Sequence, residues 1–142
     1  MILIACHKKC DIPCDEIYLP IHVGSFDKED IGFIRDDKGF NISELNNKYC
    51  ELTALYYAWK NLNYDYLGLV QYRRYLTINK TNDINKVLNK KECEDLLKHY
   101  RIILPKKRNY YIETIYSHYS NTFYKEHLDI TREIIKEYYL FL

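Results

Sequence analysis

Two consecutive arginines, Arg73 and Arg74, directly follow the apolar run Tyr66-Leu-Gly-Leu-Val70 and stand between Tyr72 and Tyr75. A guanidinium placed at the end of a buried strand can reach a cleft and bind the oxygens of a diphosphate bidentately. His7 and Lys8 occupy the same kind of position after the first apolar run, Ile2 to Ala5. Ligands of open α/β sheets bind at the C-terminal ends of the strands, so both segments stand where chemistry is usually done. Glu51 lies close to the apolar side of a helical stretch; its carboxylate can complement a helix N-terminus, or hold a sugar hydroxyl and act as a base. Asn41, Ser43 and Asn46 precede it and suit either helix capping or hydrogen bonding to a polyol. Asp36 and Asp37 are adjacent in a turn, and no Asp-x-Asp ends a strand, so carboxylate-held Mg or Mn is an open expectation without a dedicated motif.

Other constellations read more plainly. Cys6, Cys10 and Cys14, with His7 between them and His22 nearby, are soft ligands, but their spacing matches neither paired zinc ligands nor a cluster-binding run. Incidental reduced thiols are the expectation, in keeping with an odd count of 5 cysteines. Lys106-Lys-Arg108, followed by Tyr110 and Tyr111, resembles a single-strand nucleic-acid clamp only locally, and three charges usually mark a solvated loop. There is no G-x-G-x-x-G, no G-x4-G-K-S/T, no H-E-x-x-H and no G-x-S-x-G, which removes most dinucleotide, P-loop, zincin and α/β-hydrolase readings.

These residues must be held by a modest core. The 142 residues include 4 Gly and 3 Pro, the composition of one compact domain without linkers. Setting aside the 16 Tyr and counting the Gly, about 39% of the residues are apolar, below the roughly 45–50% of ordinary domains. A core rich in Tyr and Ile is therefore expected, with partners for buried hydroxyls. Net charge is +1, which excludes a general field for nucleic acid or anionic lipid. Residues 1–71 carry 7 basic and 11 acidic side chains and residues 72–142 carry 14 and 9, so an anion site is expected in the second half. The opening apolar run is too short to span a membrane and lacks the flanks of a signal peptide, so a cytoplasmic protein is expected.

The elements follow from periodicity. Ile2 to Ala5 predicts a buried strand, residues 18–23 a second extended piece, and Asp36 to Gly39 a turn. Over residues 47–62 the spacing predicts a helix with Leu52, Leu55, Trp59 and Leu62 facing inward, Thr53 and Tyr57 outward, and Asn46 or Asn47 as cap. Strands are then expected over residues 66–70 and 101–105, and helices over residues 90–100, 112–119 and 125–139. Strands alternating with helices predict an α/β fold with a mainly parallel sheet.

The run Tyr49-Cys-Glu-Leu-Thr-Ala-Leu-Tyr-Tyr-Ala-Trp-Lys-Asn61, followed by Tyr66-Leu-Gly-Leu-Val-Gln-Tyr-Arg-Arg-Tyr75, resembles a bacterial capsular and exopolysaccharide biosynthesis family, domain of unknown function family 4422, regarded as glycosyltransferase-like. The resemblance extends in order over Ile4-Ala-Cys-His-Lys8, Ile21-His-Val-Gly24, Asn41-Ile-Ser43, Ile103-Leu-Pro105 and the region from Tyr116 to His127. It implies a Rossmann-like sheet of the glycosyltransferase A type with flanking helices. It also implies a transferase that takes a nucleotide-diphosphate-sugar and a saccharide acceptor, with peripheral association to polysaccharide assembly machinery. Arg73 and Arg74 would then neutralise the leaving diphosphate, Tyr72 or Tyr75 would stack on base or sugar, and Glu51 with Asn41 and Ser43 would bind hydroxyls. His7 and Lys8 would line the first-strand loop, with Asp36, Asp37 and Tyr49 as further substrate contacts. The chain departs from the family pattern at Gln71, where His is favoured, at Phe40, where an acid is favoured, and at Tyr57, where Trp is favoured. The resemblance also implies that the family domain runs on past Leu142, so the expectation is an N-terminal portion, either active as a transferase or a remnant that binds sugar nucleotide or a partner protein without turnover.

Overall fold

The computed structural model describes residues 1–139. Two compact units divide the chain, Met1–Ile103 and Leu104–Leu142. The first holds a four-stranded sheet of β1 (Ile2–Cys6), β2 (Tyr18–His22), β3 (Ile34–Arg35) and β4 (Gly68–Gln71). Strand order is β3-β2-β1-β4 and every pairing is parallel. Ile2 stands opposite Tyr18 on one side and Gly68 on the other. Two neighbours and two covered faces explain why β1 is apolar throughout and fully buried.

Alternation along the strands assigns the two faces. Ile2, Ile4, Cys6, Tyr18 and Val70 pack with Val87 and Leu88 and with Cys93 and Leu96 of α3 (Lys90–Leu97). Leu3, Ala5 and Ile21 pack on the other face against Ala54 and Ala58 of α2 (Leu52–Asn61). This is the expected parallel α/β arrangement, with a two-residue strand, β3, that periodicity did not signal. Of the many tyrosines only Tyr18 is fully in this core, its hydroxyl donating to the Leu88 carbonyl at 2.7 Å. Most of the others are half-buried or exposed, so the Tyr-rich core expected from composition is smaller than predicted.

Several local expectations are corrected. The helix predicted over residues 47–62 is two pieces, α1 (Asn46–Tyr49) and α2, separated by Cys50 at φ +48. Asn46 does not cap it; its amide donates to the Cys50 carbonyl at 2.8 Å and to Thr53 Oγ1 at 3.2 Å, clamping the break from inside. The buried face of α2 is Thr53, Ala54 and Ala58, while Leu52 and Trp59 are 53% and 62% exposed. Small residues bring the helix backbone close to the sheet, and the Thr53 hydroxyl is satisfied by the Cys50 carbonyl. The apolar run 101–105 forms no strand; Ile102 and Leu104 are 73% and 77% exposed, no ladder partner lies beside them among the described residues, and Pro105 has no N–H to donate.

In the second unit, α4 (Ile115–Thr122) begins three residues later than predicted, because Thr114 and Ser117 form a reciprocal capping box. A longer helix, α5 (Glu126–Tyr139), follows as expected.

Candidate functional site

The site is built where β1 and β4 end side by side. The ladder runs one step past the strands, Tyr72 N–H donating to the Ala5 carbonyl, and the chain then turns tightly, Arg74 N–H donating to the Gln71 carbonyl at 2.8 Å. Because side chains alternate, Gln71 goes to the α2 face with Ala5, and Tyr72 goes to the opposite face with Cys6. The two halves of the candidate site therefore straddle the end of the sheet.

On one side, the Gln71 amide donates to Glu51 Oε1 at 3.1 Å. The break at Cys50 makes this contact possible. It sets Glu51 at the N-cap of α2 with no capping bond from its side chain, leaving the carboxylate to turn toward β4. On the other side, Tyr72 is the hub. The His7 ring meets it edge-on at 5.0 Å between centroids, with His7 Nε2 3.4 Å from the Tyr72 hydroxyl. Lys8 Nζ lies 5.7 Å and Arg73 Cζ 5.1 Å from the Tyr72 ring centre. Both cations are within the distance at which an aromatic face attracts them. Charge that would otherwise repel is thus gathered around one ring, with one imidazole and two cations converging from the β1 and β4 loops. Such a cluster can neutralise a polyanion, and its fork-shaped member can bind two oxygens at once.

The remaining predicted residues are placed differently. Arg74 is exposed and has no ion pair or ring contact among the described residues. Tyr75 packs edge-on against Tyr18 at 5.9 Å, and burial followed by the nearby Cys10 and Cys6 sulfurs pushes its hydroxyl up to about 12. Asn41 makes only local bonds, to the Gly39 carbonyl and from the Ser43 N–H, and Tyr49 is exposed at the end of α1.

Asp36 and Ser43, read as substrate contacts, have their polar atoms engaged within the fold. Asp36 is 0% exposed and accepts from the backbone N–H of Gly24 (2.8 Å) and Ser25 (3.0 Å) and from the hydroxyls of Ser25 (3.0 Å) and Ser43 (2.6 Å). Ser43 Oγ in turn accepts from Phe26 N–H at 3.1 Å. Burial works to raise the Asp36 pKa, but these hydrogen bonds outweigh it and hold the carboxyl below its usual range. Asp37 pairs with Arg35 at 2.7 Å, and that bond holds its carboxyl low as well. No group of three or more His, Cys, Asp or Glu side chains converges among the described residues, and both aspartates are engaged within the fold. Cys6 and Cys10 sulfurs are 3.7 Å apart, and burial, then the Cys10 neighbour, pushes the Cys6 thiol up to about 12. A protonated, buried thiol of this kind is a packing group. Lys106, Lys107 and Arg108 are exposed.

A cleft of about 330 Å³ opens beside the cluster, with Tyr72 and Arg73 in its wall and the segment from Thr77 to Val87 around it. Sequence reasoning missed this segment because its Asn and Thr residues have the composition of a plain connection.

The family model described as a domain of unknown function, DUF4422, matches residues 1–140. The chain belongs to the DUF4422 family. Among solved structures, this DUF4422 chain is similar to the WbbM bifunctional glycosyltransferase in its apo form, with a TM-score of 0.81, 29% identity and 97% of this chain covered. The chain spans 29% of the length of that protein. No curated protein matches it. The DUF4422 chain thus has a glycosyltransferase-like fold, and the cationic cluster sits at the C-terminal end of its parallel sheet.

Proposed function

We propose that this DUF4422 chain binds a nucleotide-diphosphate-sugar and transfers the sugar to a saccharide acceptor in capsular or exopolysaccharide assembly. The observation that carries the reading is the convergence of His7, Lys8 and Arg73 on Tyr72 at the sheet end. In the transfer, the bond between the sugar C1 and the diphosphate oxygen breaks and its electron pair leaves with the nucleoside diphosphate. An acceptor hydroxyl oxygen bonds to C1, and its proton passes to a base. Lys8 and Arg73 meet the charge that grows on the leaving oxygens, a stabilisation realised mostly in the transition state. Glu51, oriented by Gln71, is the carboxylate proposed to take the proton or hold a sugar hydroxyl. The step is assigned to side chains because the aspartate oxygens are already engaged. No helix among the described residues is long and apolar enough to cross a membrane. We place the reaction in the cytoplasm, with peripheral association to the assembly machinery.

A second reading, binding without turnover, is favoured by Gln71. Its amide neither gives nor takes a proton near neutral pH, and it stands where the family resemblance favours His.

Calorimetric titration with uridine diphosphate tests the binding half. Lys8→Ala with Arg73→Ala is expected to weaken binding about thirtyfold or more, since each removes a charge-assisted bond. Arg74→Ala, which removes no contact, is expected to stay within about twofold. Equal affinity for wild type and the double variant would remove the site. A donor-hydrolysis assay separates the two readings: Glu51→Gln abolishes turnover with binding intact in the first, and wild type shows none in the second.

A further inference from the structure

We propose that the cleft beside Tyr72 and Arg73 receives the sugar ring of the donor, not its nucleobase. This rests on the diphosphate reading above, because the cleft and the cationic cluster share Tyr72 and Arg73 as a common wall. A group attached directly to the terminal phosphate must lie next to the residues that hold that phosphate. In a sugar nucleotide that group is the sugar, whereas the base is separated by a second phosphate and a ribose.

The lining has the matching chemistry. Tyr75, Ile84 and Val87 supply apolar surface for the C–H face of a pyranose, with the Tyr72 ring beside them. Thr77, Thr81, Asn82 and Asp83 supply polar groups around it. Their bonding capacity is only partly used. Thr81 Oγ1 accepts from Asp83 N–H at 3.0 Å and keeps its own proton to donate. Asp83 Oδ1 accepts from Asn85 N–H at 2.9 Å, and its second oxygen lies 3.6 Å from Lys86 Nζ. Thr77 and Asn82 are exposed and have no hydrogen-bond partner among the described residues. Hydroxyls, an amide and one carboxylate around an apolar floor suit a neutral ligand rich in hydroxyl groups. With one cation, Arg73, and one carboxylate in the wall, the cleft is not a second phosphate site.

The test compares uridine diphosphate with its glucose, galactose and N-acetylglucosamine conjugates by calorimetry on the full chain, in wild type and in Asn82→Ala and Thr77→Val. Both positions are exposed, so the fold should tolerate the changes. For the preferred conjugate, each substitution is expected to weaken binding about five- to tenfold, the effect of one or two lost hydrogen bonds. Affinity for uridine diphosphate itself should change less than about twofold, because its phosphates are held elsewhere. Equal loss for the conjugate and for uridine diphosphate would place the nucleotide in the cleft and overturn the inference while leaving the cationic site standing. No loss with either would empty the cleft of any donor role. Failure of Lys8→Ala with Arg73→Ala to weaken uridine diphosphate binding would bring down the diphosphate reading itself.

Discussion

Asp36 shows how a residue that reads as a ligand can be a structural centre. Its carboxylate gathers two backbone N–H groups and two hydroxyls from the loop after β2 and from the turn leading to α1. Asp36→Ala leaves those donors buried without an acceptor, and a loss of about 3 kcal/mol in urea-unfolding free energy is expected. Asp36 and Asp37 both bind protons less readily folded than unfolded, so their contribution is complete above the ordinary carboxylate pKa. It drains away as pH falls through their lowered folded values. His22 behaves in the same direction at higher pH. Burial, followed by Arg35 and Lys28, lowers its pKa, and its Nδ1 has no partner among the described residues. Its contribution is full above the ordinary histidine value of about 6.5 and falls below it. His22→Leu is therefore expected to flatten the pH dependence of thermal midpoint below about pH 6.5, while the Asp-dependent loss below about pH 4 remains.

At the scale of elements, α2 decides how the sheet and the Glu51 carboxylate meet. Ala54 and Ala58 are completely buried against Leu3, Ala5 and Ile21, so the helix lies close over β1 and β2. Ala58→Leu would force the two apart and is expected to cost about 2 kcal/mol in denaturant unfolding. Trp59→Ala, on the exposed face, is expected to cost less than about 1 kcal/mol. The same measurement on both variants reads the orientation of the helix directly. The break at Cys50 has a counterpart at Gly24, whose φ is +58 and where a Cβ would come within 2.5 Å of the Asn46 side chain. Both positions meet the Asn46 side chain, which ties the loop after β2 to α1 and the start of α2.

At the scale of the whole molecule, the second unit opens on an exposed, irregular stretch that includes Lys106, Lys107 and Arg108. Backbone without ladder or helix bonds opens easily, so limited trypsin digestion is expected to cut there first and leave a resistant fragment carrying the sheet, read by mass spectrometry. First cleavage at Lys48 or Lys60 would contradict the division. The sequence by itself determined the parallel α/β class, the strands β1 and β4, the paired loops after them, and the family, because buried parallel strands are written as unbroken apolar runs between helical periods. Tertiary structure alone decided which polar residues gather at the end of the sheet and which are engaged within the fold. Arg73 and Arg74 are chemically identical in the chain and both are exposed, yet the turn at the end of β4 lays only Arg73 over the Tyr72 ring. Asp36 and the break before α2 were likewise set by contacts among residues far apart in sequence, and no local period or propensity records such contacts.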